Sequence, residues 1–184
     1  CALPIFRNKN DFQKVVDYDL KYAEILPLHA RIWASLSDAY EHLGQKEKQL
    51  RALWKVALAD SENADHWVNI GQCYFALEKI DSAKIMTQRA VQIDSTNATA
   101  NFNLGLIQLN IERDCDGAAS SFTNTILKNP KNLEALKYLT VSFVCLQQFD
   151  KAEAVVHYYL NLVPNDSTAL QTLSYIQQQK SLLQ

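Results

Sequence analysis

Apolar residues recur along this chain at intervals of three and four, and the whole arrangement repeats after about 34 residues. With Ala30 as position 1, apolar side chains fall at positions 4, 7 and 11, and again at 17, 20, 24 and 27. Each set marks one face of an amphipathic helix. Equivalent units start at Ala64, Ala98 and Leu133. A period in this range predicts stacked helix pairs, each burying its apolar faces against its neighbours.

The phase of the repeat is fixed by its small and turn-forming residues. Pro27, Pro130 and Pro164 share one repeat position, and Gly71 and Gly105 share position 8. Small residues at positions 8 and 20 predict a close approach of paired helices, because larger side chains would hold the backbones apart. Polar residues between the helices predict turns and helix caps.

Residues 64–97 carry the pattern most completely, with Trp67, Ile70, Gly71 and Tyr74, then Ala83 and Ala90. This pattern resembles the tetratricopeptide repeat family, whose signature places Trp, Leu, Gly and Tyr, then Ala, Phe, Ala and Pro, at these positions. The resemblance implies an all-α fold, a right-handed α-solenoid of antiparallel helix pairs (a superhelix).

We expect residues 1–184 to form a single domain of such repeats. Its predicted parts are a half repeat at 11–29, full repeats at 30–63, 64–97, 98–132 and 133–166, and a polar capping helix at 167–183. The half repeat reads as a second helix whose first helix is missing.

Some positions depart from the repeat. Gln49, Thr140 and Tyr159 replace expected small residues, so we expect looser packing around them. The third repeat gains one residue around 114–117, which predicts a longer inner turn, a candidate mobile or contact loop.

The cysteines lie too far apart for a zinc or redox motif. Cys73 is predicted to be an inert buried thiol, and Cys115 an exposed free thiol in a turn. Cys1 has two interpretations, a lipidated N-terminus of a bacterial lipoprotein or a fragment boundary.

Composition and motifs argue against catalysis and against nucleic acid. The formal net charge of −2 supplies no basic field, and no phosphate-binding, nucleophile or metal-ligand motif is present. We therefore expect no enzyme activity, catalytic residue, cofactor, metal or small-molecule substrate. The expected partner is a protein or peptide.

The resemblance implies that the first helices line a concave groove. Asn69 and Asn103 share position 6, where some family members hold a ligand's main chain. An apolar strip is expected beside them, so the predicted partner-binding residues are Asn69, Phe75, Phe102, Asn103, Leu106, Leu109, Tyr138, Val141 and Val144. An extended peptide or an amphipathic helix would suit the strip. Occupation by the chain itself and self-association into a homo-oligomer stay open.

Two functions fit this description. The first is a non-enzymatic adaptor that supports assembly of a larger complex. With a lipidated Cys1 it would resemble lipoproteins that assist secretin or pilus assembly, at the outer membrane or in the periplasm. Otherwise it would be cytoplasmic. The second is a regulatory or docking domain cut from a larger enzyme or transporter.

Overall fold

The computed structural model describes residues 9–182, and its regular structure is helical throughout. The helices are α1 Lys9–Ile25, α2 Ala30–His42, α3 Lys46–Ala59, α4 Ala64–Ala76, α5 Ile80–Ile93, α6 Ala98–Ile107, α7 Cys115–Lys128, α8 Leu133–Cys145, α9 Phe149–Leu162 and α10 Ser167–Leu182, with a π-helical turn at Gln108–Glu112. The predicted all-α fold of helix pairs is confirmed. Cys1, the predicted lipidation site, and Leu183 lie outside the described residues.

The chain divides into two compact units, the first ending at Ile93 and the second beginning at Asp94. In unit 1, α1 packs against α2, α2 against α3, α3 against α4 and α4 against α5. In unit 2 the same order runs from α6 through α10. Each helix therefore buries its faces against its neighbours along the chain, as a repeat protein does.

Asparagine or aspartate caps the start of four first helices, α4, α6, α8 and α10. The side chains of Asn63, Asn97 and Asn132 accept hydrogen bonds from the backbone N–H groups at the starts of α4, α6 and α8, and Asp166 does so at α10. Such a cap satisfies a backbone donor that the helix cannot, a contribution of about 1 kcal/mol. The repeat period thus places a helix start every 34 or 35 residues.

The side chain at repeat position 4 donates a hydrogen bond to the turn that precedes its helix, and this bond recurs in three repeats. The indole N–H of Trp33 donates to the Pro27 carbonyl, and that of Trp67 to the Ser61 carbonyl, each at 2.8 Å. In the third repeat the Asn101 amide donates to Ser95 at 2.9 Å. Asn101 lacks the bulk of tryptophan but keeps its donor, which explains a buried polar residue at this position.

The inner turns all contain one left-handed residue: Gly44, Glu78, Arg113 and Gln147 have φ between 57° and 71°. The extra residue of the third repeat was predicted in this turn, around 114–117, and that placement is wrong. It is absorbed earlier, in the π-helical turn Gln108–Glu112, whose i→i+5 hydrogen bonds each enclose one more residue than those of an α-helix. The turn itself keeps the form seen in the other repeats.

Candidate functional site

The predicted partner-binding residues lie on the first helices of both units. Asn69 and Phe75 are exposed on α4 in unit 1. In unit 2, Phe102, Asn103 and Leu106 lie on α6, Leu109 in the π-helical turn, and Tyr138, Val141 and Val144 on α8. The unit 2 residues form the larger group, and two cavities lie beside them.

An aromatic cluster supports this face of unit 2. The Tyr138 ring stacks on Phe122 with centroids 5.5 Å apart, and Phe102 meets both rings edge-on at 5.8 and 6.0 Å. Phe122 is fully buried, whereas Phe102 and Tyr138 are half-buried. The outer rings are therefore held in place by the core while part of each stays accessible.

A cavity of about 340 Å³ opens beside Tyr138, between α8 and the π-helical turn. We call it the cystine cavity; its lining is Leu109, Asn110, Arg113, Cys115, Tyr138, Val141 and Cys145. Leu109 is largely buried, and the small exposed part of its side chain lines this cavity.

The cystine cavity takes its name from a disulfide that the sequence analysis missed. Cys115 and Cys145 are bonded, with their Cα atoms 6.2 Å apart. The prediction of an exposed free thiol at Cys115 is wrong: the residue is half-buried and joins the start of α7 to the end of α8. Cys73, by contrast, is a free buried thiol as predicted, and burial raises its pKa.

A second cavity, of about 150 Å³, lies on the other side of α8, between it and α10. We call it the tyrosine cavity, because Tyr159 on α9 contributes to its lining along with Thr140, Val156 and Ala169. Val141 lines both cavities and is 51% exposed. It therefore stands as an apolar ridge with a recess on each side.

Charged groups edge the tyrosine cavity. The Tyr159 hydroxyl donates to Asp166 at 2.7 Å; this bond raises the pKa of Tyr159 and lowers the pKa of Asp166. The Lys137 ammonium donates to Glu134 at 3.1 Å, which raises the pKa of Lys137. Sequence reasoning flagged Tyr159 only as a departure from alanine and missed this network.

Unit 1 has a different recess on its first-helix face. A cavity of about 390 Å³ between α2 and α4 is bordered by Asp38, Glu41, Lys46, His66 and Asn69, with Gln49 among its lining residues. Lys46 lies 3.9 Å from the Glu41 carboxylate and donates to Gln49 at 3.1 Å. We call it the polar cavity. Its lining includes two carboxylates, Asp38 and Glu41, and the ammonium group of Lys46.

Five predicted residues line none of these cavities, namely Phe75, Phe102, Asn103, Leu106 and Val144. Phe75 is exposed on α4, and Asn103 is half-buried on α6. Val144 is half-buried against the core cluster of Ala152, Val156 and Ile176. Their part in binding stays a prediction.

Within residues 9–182 no group of three or more His, Cys, Asp or Glu side chains is arranged to hold a metal ion. Over the same residues, no helix combines the length and the apolar character that a bilayer crossing demands.

Similarities to known proteins agree with the geometry. The sequence profile of the tetratricopeptide repeat matches residues 64–97. Sperm-associated antigen 1 of Rattus norvegicus is 32% identical over 73 residues, which are 40% of this chain. The chain spans only about 8% of that protein's length.

Solved structures share the fold over most of the chain. MamA aligns with a TM-score of 0.73 at 20% identity, over 85% of this chain and 95% of that one. YrrB, described as a tetratricopeptide protein with an unusual peptide-binding site, aligns at 0.71 and 22% identity, over 88% and 83%. The first such domain of Spaghetti (RPAP3), bound to the HSP90 peptide SRMEEVD, aligns at 0.58 and 22% identity, over 66% and 96%. The profile match identifies residues 64–97 as a tetratricopeptide repeat, and the repeat phase and the fold shared with the solved structures extend the same helix-pair plan to the other repeats.

Proposed function

We propose that the chain is a non-enzymatic interaction scaffold whose unit 2 binds a peptide segment through apolar side chains on the exposed face of α8. The observation that carries this proposal is the Val141 ridge between the cystine and tyrosine cavities. Protein binding is also the kind of function that the peptide-bound and peptide-binding relatives support.

The dimensions favour side chains over a small-molecule ligand. The tyrosine cavity, at about 150 Å³, falls below the usual range of small-molecule sites, roughly 300–1,000 Å³, and the cystine cavity, at about 340 Å³, lies at the lower end of that range. A segment lying across Val141 would place one apolar side chain on each side of it. Rigid walls lower the entropic cost of binding, and both the aromatic cluster and the Cys115–Cys145 bond fix the walls here.

The rim gives the bound segment a preferred chemistry. Arg113 borders the cystine cavity, whereas at the tyrosine cavity the charge of Lys137 is offset by Glu134 and Asp166. The expected ligand has two apolar side chains and an acidic residue next to the one in the cystine cavity, since opposite charges at a rim favour association.

The test first selects peptides that bind the protein and then measures their binding to a variant in which Val141 is replaced. A random-peptide phage library is panned on the immobilised oxidised protein, and an enriched sequence is synthesised with a fluorescent label. Val141→Asp should weaken its binding about tenfold or more, because a carboxylate is left against two apolar recesses. Leu127→Asp is the matched control: Leu127 is an exposed apolar residue of unit 2, on α7, and does not line either recess.

Two outcomes would overturn the proposal. One is enrichment of peptides that bind Val141→Asp as tightly as the unaltered chain but lose affinity on Asn69→Ala, which places binding at the polar cavity. The other is that no peptide is enriched above background on the oxidised protein.

The finer roles stay predictions. Assembly of a larger complex, a lipid anchor at Cys1 and a docking role within a larger enzyme or transporter each need the partner or the encoded residues around this chain.

A further inference from the structure

The cystine cavity has two walls that belong to different parts of unit 2. One wall is the segment 109–113, at the end of the π-helical turn, and the other is the part of α8 from Tyr138 to Cys145. Within residues 9–182 the π-helical turn packs against α6 and α7, and α8 packs against α7 and α9, so extensive packing joins the two walls only through α7. The Cys115–Cys145 bond is therefore a covalent link between the two sides of the cavity.

The wall formed by segment 109–113 has little packing of its own. The five residues 110–114 are all exposed. Leu109, before them, is buried in the core cluster that also contains Leu139 of α8, and Cys115, after them, packs against the same cluster and is bonded to Cys145. An exposed backbone with little buried apolar area is the part of a fold that opens most readily once a restraint is removed.

Reduction of the disulfide must change the shape of the cavity. Two thiols cannot lie as close together as two bonded sulfurs, so either the start of α7 separates from the end of α8 or a cysteine side chain rotates. Cys115 and Cys145 both line the cavity, so either movement alters its wall. Val141 lines the same cavity, and a wall that moves raises the entropic cost of binding a segment beside it.

The disulfide is open to attack by a thiol. Cys145 is exposed, whereas Cys115 is half-buried. A thiolate therefore attacks the sulfur of Cys145, where the new S–S bond forms, and the electron pair of the broken bond leaves on Cys115 as a thiolate. When the reductant is a dithiol, its second thiolate attacks the mixed disulfide and releases Cys145. The dithiol is oxidised to a disulfide, and its two protons end on Cys115 and Cys145.

From these features we infer that the Cys115–Cys145 bond controls peptide binding at the Val141 ridge, so that a dithiol reductant lowers the affinity and reoxidation restores it. This inference rests on the proposed function, because the controlled site is the peptide site of unit 2. Linkage makes the control reciprocal: a bound peptide favours the disulfide by the same factor by which reduction weakens peptide binding.

The experiment compares binding of the selected fluorescent peptide to the oxidised chain and to the chain reduced with dithiothreitol. Alkylation followed by mass spectrometry reports the state of each cysteine. Reduction should weaken peptide binding about fivefold or more, and removal of the reductant with reoxidation should restore it. The peptide at saturation should shift the equilibrium between dithiothreitol and the disulfide by the same factor.

Three variants separate this control from a general loss of stability. Cys145→Ser should bind like the reduced chain whether or not the reductant is present. Cys73→Ala removes the free buried thiol of unit 1 and should respond to the reductant like the unaltered chain. Ile176→Ala empties a buried site on α10, outside the cavity, so it should destabilise unit 2 and still bind the peptide like the oxidised unaltered chain.

Hydrogen exchange gives a second readout that needs no peptide. Reduction should speed exchange in residues 108–116 more than in α9, including at the Asp114 N–H, which donates to the Gln108 carbonyl at 2.9 Å.

The outcomes distinguish this inference from the proposed function. Equal affinity of the reduced and oxidised chains, or unchanged exchange in residues 108–116, overturns the inference and leaves the peptide site in place. So does Ile176→Ala binding as weakly as the reduced chain, because the effect is then one of stability. Failure to enrich any peptide on the oxidised protein is a different result, since it removes the proposed function and with it the control of that function.

Discussion

Units 1 and 2 share one backbone plan but present opposite chemistry on their first helices. The polar cavity of unit 1 is bordered by Asp38, Glu41 and Lys46, while the recesses of unit 2 flank the apolar Val141. The helices themselves are set by positions 4, 7, 8, 11, 20, 24 and 27, which are largely buried in both units. The repeat therefore fixes the scaffold and leaves the exposed positions of each first helix free to differ.

The positions of the tryptophans allow the unfolding of the two units to be measured separately. All three tryptophans, Trp33, Trp54 and Trp67, lie in unit 1. Tryptophan fluorescence therefore follows the unfolding of unit 1, whereas far-ultraviolet circular dichroism follows both units. The predictions below use this difference.

The largest expected effect comes from the aromatic cluster of unit 2. Phe122→Ala should lower the free energy of unfolding by about 3–5 kcal/mol, because it empties a fully buried site between Phe102 and Tyr138. Thr87→Ala, at the same repeat position in unit 1, should cost about 1 kcal/mol. Urea denaturation should show Phe122→Ala shifting the dichroism midpoint more than the fluorescence midpoint. Equal shifts in both signals would mean that the units do not unfold separately.

Reduction of the Cys115–Cys145 disulfide should have the second largest effect on stability. Cys115 and Cys145 are 30 residues apart, and opening a loop of that length costs about 3.6 kcal/mol in the chain-entropy account. Dithiothreitol should lower the stability of unit 2 by that amount and leave the tryptophan signal of unit 1 in place. Cys145→Ser should match the reduced protein and no longer respond to the reductant. A reductant effect that persists in Cys145→Ser would contradict this assignment.

Alanine substitutions of the two glycines at repeat position 8, Gly71 and Gly105, should change the stability by smaller and unequal amounts. Gly105→Ala places a methyl group against the Phe122 ring, which is fully buried and stacked on Tyr138, so a destabilisation of about 1–2 kcal/mol should remain after the gain in helix propensity. Gly71→Ala places a methyl group 3.0 Å from the Thr87 hydroxyl oxygen and 3.3 Å from the Ala83 carbonyl oxygen, longer contacts than those at Gly105, and should stay within about 1 kcal/mol of the unaltered chain. Thermal unfolding of both variants measures the difference, and the reverse order would contradict the packing argument.

The smallest expected effect is on pH dependence. The Tyr159 hydrogen bond and the backbone N–H of Ala169 lower the pKa of Asp166 in the folded chain. The bond therefore stabilises unit 2 fully above the ordinary carboxyl pKa of about 4, and this contribution is lost as the pH falls through the lowered folded value. Asp166→Asn should flatten that part of the stability profile measured by dichroism. An unchanged acid slope would show that other carboxylates carry it.

The repeat was predictable from sequence because its determinants are local. Trp67, Gly71 and Asn97 each act within their own repeat or turn, so spacing along the chain reveals them. The disulfide was not predictable. Two cysteines 30 residues apart meet only because α7 brings the end of α8 back beside its own start.

The candidate site was predictable in part for the same reason. Tyr138 and Val141 follow from their repeat positions, which give each residue its helix face. Their two recesses do not, since these depend on Tyr159 from α9 and on the π-helical turn before Arg113. The tyrosine at position 159, where the family has alanine, shows from sequence alone that the packing there must differ. The sequence does not show that the new contact is a hydrogen bond to Asp166.

The π-helical turn has a consequence for how such an array tolerates change. The five residues Gln108–Glu112 accommodate the added residue of the third repeat. Arg113, which follows them, therefore has the same left-handed conformation as Gly44 and Glu78. An insertion is thereby absorbed before the next helix begins, and every residue after it keeps the face it would have had. Length variation in one repeat can then accumulate over evolution without rotating the partner-facing residues of the repeats that follow.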